Sequence, residues 1–226
     1  MRRHSPYDSS FYHQPGPKHL ESLIIQMTKD IGAKKVLDVG AGSGWLVKAL
    51  RKNGVKAYGC DNSKLAIKKN LIVKANATKL PFESKSFNLI TAISLIEHLT
   101  PANADKFLTE IKRTLRPKGY LFFVTPNYAS PLRLIQGKKW HGYLDPTHLN
   151  FYTPSSLKKT LRKNGFGNFQ TTFPAPSGEN FEWTLPTMIR NFPKPIKKFL
   201  NFLAYSTFLN RLNNSFSILA QVNEAK

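Results

Sequence analysis

The sequence predicts an α/β fold: a doubly wound, mostly parallel seven-stranded sheet with helices on both faces. Two observations carry this. Short apolar runs of strand character alternate at close spacing with amphipathic runs of helical period over residues 20–173, the pattern of βαβ units. A glycine-rich loop, Gly40-Ala41-Gly42-Ser43-Gly44, follows the first apolar run directly.

The elements follow in order. Residues 1–18 form a polar arm carrying Pro15 and Pro17. Leu20, Leu23, Ile24, Met27 and Ile31 recur at helical spacing and predict the first helix. Lys35 to Val39 is short, apolar and β-branched, as a buried parallel strand requires. Trp45 to Lys52 predicts a helix that Asn53-Gly54 ends. Val55 to Cys60 is the second strand, closed by Asp61, and Ser63 is placed to cap a short helix. Leu71 to Lys74 and Phe87 to Ile93 are strands three and four. Thr100-Pro101 starts a helix running to Leu115, since proline is favoured at the first helical position. Residues 116–119 predict a turn, and Tyr120 to Val124 the fifth strand. Residues 127–153 are rich in aromatics and read as an irregular lid. Thr153-Pro154 opens another helix, ended at Asn164-Gly165, with strand six at Phe166 to Phe173 and strand seven at Ser215 to Val222. The expected organisation is an arm at 1–18, a core at 19–173 with its lid at 127–153, an insertion at 174–213, and the last strand and tail at 214–226.

Composition bounds the function. The 226 residues are 41% hydrophobic, enough for a sizeable core. The single cysteine, Cys60, excludes an internal disulfide framework and a cysteine-based metal cluster, and no metal site is expected. The N-terminal residues are polar and charged, and no run reaches the roughly 18 apolar residues of a membrane span, so a cytoplasmic protein is expected. The net charge of +21 attracts anions: nucleic acid, phospholipid surfaces or phosphate-bearing substrates. Most of the excess lies in the second half, where no acidic residue separates Glu110 from Asp145, Asp145 from Glu179, or Glu182 from Glu224.

Chemistry concentrates around the glycine loop. Glycines at 40, 42 and 44 let the backbone turn tightly and approach a ligand, and the following helix start offers unpaired amides. Asp61, seventeen residues after Gly44, ends the second strand, where a carboxylate can take both hydroxyls of a ribose. The dinucleotide fingerprint asks for glycine at 45, which is tryptophan here.

Val36-Leu37-Asp38-Val39-Gly40-Ala41-Gly42-Ser43-Gly44 resembles the first motif of the class I S-adenosylmethionine-dependent methyltransferases. Ala75 to Phe82, Ser86 to Ile90, Leu95 to Leu99 and Leu115 to Leu121 resemble the family's later motifs, in order. The segment from His148 to Gly165, with Phe151-Tyr152-Thr153-Pro154, resembles its small-molecule and glycan-associated branch. The resemblance implies a reversed last strand and S-adenosyl-L-methionine as cofactor. It implies cofactor contacts from Asp38, Gly40, Ala41, Gly42, Gly44, Asp61, Asn62, Asn76, Ala77 and Ser94, with Asn76 standing where the family usually has aspartate.

The reaction expected is methyl transfer to a small-molecule or glycan-like acceptor on oxygen, where a general base helps. His98, after strand four, and His148, in the lid, are the candidate catalytic residues; Trp140, Tyr143, Phe151 and Tyr152 are candidate pocket walls. Two rival readings stand beside this one: an RNA methyltransferase, which the charge favours, and a cofactor-binding or membrane-surface protein without catalysis. Ile196, Phe199, Leu200, Leu203 and Leu212 lie near one helical face ringed by Lys194, Lys197, Lys198 and Arg211. Such a basic amphipathic helix can meet an anionic membrane.

Overall fold

Caps fix where the helices begin. Thr100 accepts a hydrogen bond from the Asn103 amide, and Thr153 exchanges bonds with Ser156 in a capping box, each directly ahead of a proline. Ser63 accepts from the Leu65 amide and starts a single 3₁₀ turn. The computed structural model describes residues 7–173, 193, 195–196 and 213–223. Its helices are α1 (Lys18–Asp30), α2 (Trp45–Lys52), α3 (Pro101–Thr114), α4 (Leu132–Gln136), α5 (His141–Leu144) and α6 (Pro154–Lys163). Its strands are β1 (Lys35–Val39), β2 (Lys56–Asp61), β3 (Ile72–Lys74), β4 (Phe87–Ile93), β5 (Leu115–Pro126), β6 (Phe166–Thr172) and β7 (Ser215–Val222).

The seven strands form one sheet in the order β3-β2-β1-β4-β5-β7-β6. β3, β2, β1, β4 and β5 pair in parallel, and β7 runs antiparallel to both β5 and β6. Alternate residues face opposite layers. Leu37, Val39, Ile90, Leu121, Phe123 and Ile218 pack under Phe107, Leu108 and Ile111 of α3 and Leu157 and Leu161 of α6. Val36, Leu89, Phe122 and Val124 pack on the other face with Leu20 and Ile24 of α1 and Leu46, Val47 and Leu50 of α2. The strand order reverses between β1 and β4, which opens a crevice at their carboxyl ends, where folds of this architecture bind ligands.

Two segments depart from the sequence expectation. The expected turn at 116–119 belongs to β5: Leu115 pairs with Phe87, the register then shifts, and Lys118 adopts a left-handed φ of 59°. A bulge thus carries the turn residues inside the strand. The lid is more regular than its composition suggests, since it contains α4, a 3₁₀ turn at Gly137–Lys139, and α5. The basic helix expected at 194–212 lies outside the described residues, apart from Pro195 and Ile196. No helix among the described residues is long and apolar enough to cross a membrane.

Candidate active site

The glycine loop is wound by its own backbone. The Gly40 and Ala41 amides both donate to the Cys60 carbonyl at the end of β2, at 2.9 and 3.0 Å. The Gly44 amide donates to Ala41, and Gly44 opens α2 with a φ of 75°. A Cβ at Gly44 would sit 2.8 Å from the Leu71 side-chain end and 2.9 Å from that of Ile72, which would have to shift, and the left-handed φ favours glycine there. Asp61 braces the loop from β2. Its Oδ2 accepts the Gly42 amide at 3.0 Å and its Oδ1 accepts the Ser63 amide at 2.8 Å. Each oxygen keeps a further lone pair, and the side chain is half-buried, open to a ligand hydroxyl.

Asp38 stands near the carboxyl end of β1, beneath the loop. It is buried and its Oδ1 accepts from Thr91 Oγ1 at 2.7 Å, while Cys60 and Asp61 receive the loop amides. Burial pushes its carboxyl up to about 7, the Thr91 hydrogen bond opposing and the Asp61 charge adding to the rise. Asn76 sits in the turn after β3 and accepts from the Thr78 amide and hydroxyl, both at 2.9 Å, with Ala77 between them. Asn62 follows Asp61 on the same edge. Ser94 follows β4 with a φ of 49° and donates its amide to Val124.

The arm is part of this edge, which its polar composition conceals. Lys68 Nζ donates to the carbonyls of Tyr12 and Ser43, tying the arm to the glycine loop at 3.0 and 2.7 Å. Gly16 lies so close to Trp45 that a Cβ would fall 1.9 Å from its ring. Phe11 packs over Gly42, and Tyr7 reaches the end of β4. There the Tyr7 hydroxyl meets Asp145 Oδ2 at 2.6 Å and His98 Nε2 at 3.2 Å.

His98 and His148 come together with their ring centroids 4.7 Å apart. The tautomer of His148 follows from proton accounting. His148 Nδ1 lies 2.7 Å from the Gly142 carbonyl, so Nδ1 carries the proton in the neutral ring and Nε2 keeps its lone pair. Asp145 accepts from the Tyr7 hydroxyl, the Thr147 hydroxyl and the Thr147 amide. Both ring nitrogens of His98 have hydroxyl neighbours, Nδ1 at 2.9 Å from Thr147 Oγ1 and Nε2 at 3.2 Å from the Tyr7 hydroxyl oxygen. Burial and the neighbouring His148 hold His98 below the usual imidazole range, which keeps it neutral.

Glu97 lies beneath both rings. Its main chain accepts the Leu149 and Asn150 amides, which pins the lid to the end of β4. Its side chain is 1% exposed. Oε2 accepts from Thr125 at 3.0 Å, and Oε1 is buried without a hydrogen-bond partner. Burial raises this carboxyl to about 7. Tyr7, Asp145 and Thr147 were not singled out by the sequence. The aromatic spacing Tyr7-x-x-x-Phe11-Tyr12 inside a polar arm was the available signal.

The aromatic residues divide. Trp140 and Tyr152 are core rather than pocket wall: Trp140 is wholly buried, its indole donating to Asn214 Oδ1 at 3.0 Å. Tyr143 and Phe151 remain partly exposed and pack edge to face beside Tyr128, on which the Arg133 guanidinium stacks at 4.1 Å.

A methyltransferase-domain family model matches residues 15–171. Ubiquinone biosynthesis O-methyltransferase of Vibrio atlanticus is 26% identical over 167 residues, covering 66% of this chain and 69% of that protein. The corresponding protein of Coxiella burnetii is 29% identical over 173 residues, covering 68% and 71%. Among solved structures, an S-adenosylmethionine-dependent methyltransferase from Archaeoglobus fulgidus superposes with a TM-score of 0.63 at 22% identity, covering 89% of this chain and 94% of that one.

Proposed function

The chain belongs to the methyltransferase-domain family and is an S-adenosylmethionine-dependent methyltransferase, and from that premise we propose that it methylates a hydroxyl of a small-molecule acceptor held between the glycine loop and the lid. The cofactor supplies a methyl group on a sulfonium, already activated for in-line displacement. The chain's own residues then need to bind it, orient the nucleophile and take up a proton.

On the donor side, Asp61 would take the ribose hydroxyls, and the turns at 40–44 and 76–77 would cradle the two ends of the molecule. Asn62 and Ser94 flank that path. The fit rests on the half-buried Asp61 carboxylate, whose oxygens each keep a lone pair, and on the close backbone approach that Gly40 and Gly42 permit. Asp38 would act from below, as the buried partner of Thr91.

On the acceptor side, one observation carries the reading. His98 and His148 lie together at the carboxyl edge of the sheet, beside the arm that crosses the glycine loop, and His148 in its neutral ring presents an unprotonated Nε2. A hydroxyl lying there loses its proton to an imidazole as the C–O bond forms. The names of the relatives, which are O-methyltransferases of ubiquinone biosynthesis, support a hydroxyl as acceptor. Turnover with methyl-labelled cofactor and a panel of phenols, catechols and sugars tests this reading. His148→Ala should lower kcat by about 10²–10³-fold, the contribution expected of a positioned base, with cofactor affinity within about twofold of the parent. Unchanged turnover on the true acceptor would make His148 structural.

A further inference from the structure

We propose that Glu97, His98 and His148 form a binding site for a divalent transition-metal ion of the zinc or manganese class. A ligand atom of each residue lies within 4.8 Å of the others. The sequence gives no sign of such a site, because the three residues come from the end of β4 and from the far end of the lid.

Three independent features point to a cation. The first is the orphaned Glu97 Oε1. A buried carboxylate oxygen with no donor is costly, and its neighbour Oε2 is already taken by Thr125. The second is the pair of imidazoles. His98 has its two nitrogens beside the Thr147 and Tyr7 hydroxyls, and His148, 4.7 Å away between ring centroids, gives its Nδ1 proton to the Gly142 carbonyl and so offers Nε2 as a ligand atom. This arrangement, in which the remote N–H is held by a carbonyl or hydroxyl, is what orients metal-ligating histidines. The third is the anchoring around the set. Asp145 fixes Thr147 and Tyr7 through three hydrogen bonds, and its Oδ2 stands 3.7 Å from His148 Nε2, adding negative charge next to the ligands.

Two neutral imidazoles and one carboxylate suit a borderline divalent ion and leave coordination positions open. Bonds of about 2.0–2.2 Å at tetrahedral angles hold ligand atoms about 3.4 Å apart, so the most widely spaced of the three atoms close in by roughly an ångström on binding, through side-chain rotation. The site deepens the hydroxyl-methylation reading and rests on it for its chemistry. A hydroxyl bound to the ion ionises nearer neutral pH and releases its proton to solvent water. The imidazoles then serve as ligands in the loaded protein and as direct bases in the stripped one.

The test uses the full chain stripped with a chelator, without cofactor or acceptor. Titration with zinc, followed by calorimetry, and with cobalt(II), followed by its visible ligand-field bands, should give one ion per chain with micromolar or tighter affinity. Glu97→Gln keeps the shape and an acceptor for Thr125, and should weaken binding at least tenfold. His148→Gln should do the same, and both variants should keep the parent's far-ultraviolet circular dichroism. Absence of saturable binding up to about 100-fold above the protein concentration, or equal affinity in both folded variants, would overturn the proposal. The readout needs no acceptor, so it separates from the hydroxyl reading. Methyl transfer by a stripped protein that binds no ion would refute the metal site alone. A clean ion site in a protein that methylates only nitrogen would refute the hydroxyl reading alone.

Discussion

Replacing Asp38 by asparagine isolates the energetic cost of burying a carboxylate beneath the glycine loop. The side chain is 4% exposed and receives one described hydrogen bond, from Thr91. Burial is the main reason its carboxyl titrates at about 7, against an ordinary value of 3.8. A raised acid favours the folded state while it stays protonated. Its contribution is therefore fully present below pH 3.8, is lost as pH rises through about 7, and is constant above that. At about 1.36 kcal/mol per pH unit, ionising the buried group costs the fold about 4 kcal/mol at pH 8, and roughly 3 kcal/mol of that is lost between pH 5 and pH 8. The asparagine that replaces it keeps an oxygen for Thr91 and carries no charge. Urea denaturation of the cofactor-free protein at pH 5 and pH 8 should show the variant gaining on the parent by roughly 3 kcal/mol across that interval. Glu97 titrates in the same range in both proteins and cancels in the difference. Parallel stability curves for parent and variant would refute the reasoning, because Asp38 would then stay ionised in the fold or reach water.

Gly44→Ala should destabilise the protein by about 1–2 kcal/mol, chiefly through the left-handed φ imposed on alanine, with the Leu71 and Ile72 side-chain ends shifting to make room; thermal unfolding reads it, and no loss of stability would show that the loop relaxes. Tyr7→Phe removes a hydrogen bond to a carboxylate, worth about 1.5–3 kcal/mol, and should loosen the arm. Amide exchange over residues 8–16 should accelerate at least tenfold, whereas unchanged exchange would mean that Lys68 and Trp45 hold the arm alone.

The layers of the fold were legible because each strand and each main helix announces itself locally. Asn53-Gly54, Thr100-Pro101 and Thr153-Pro154 are boundaries that capping chemistry dictates, and the structure places them there. The bulge in β5 was not legible, since Arg116-Pro117-Lys118-Gly119 has the composition of a turn and only pairing with Phe87 keeps it in the sheet. The candidate donor-side residues could be placed from the sequence because they follow two strands at fixed spacing. The candidate acceptor-side residues stood in the sequence only as single histidines, His98 and His148. Their partnership depends on the Glu97 carbonyl gathering the lid through Leu149 and Asn150, a contact across about fifty residues that no local pattern encodes. Trp140 looked like a pocket wall for the same reason: its partner Asn214 is 74 residues away.

The central claim is that Asp61 and the glycine loop hold the methyl donor. Calorimetric titration with S-adenosylhomocysteine tests it most directly, comparing the parent with Asp61→Ala and with NAD as a competing ligand. Saturable 1:1 binding that weakens about 10- to 100-fold in Asp61→Ala, with no heat from NAD, is the expected result, matching the loss of a charge-assisted hydrogen bond of about 1.5–3 kcal/mol. Equal affinity in parent and variant, or tight NAD binding with none for the adenosine ligand, would contradict the account.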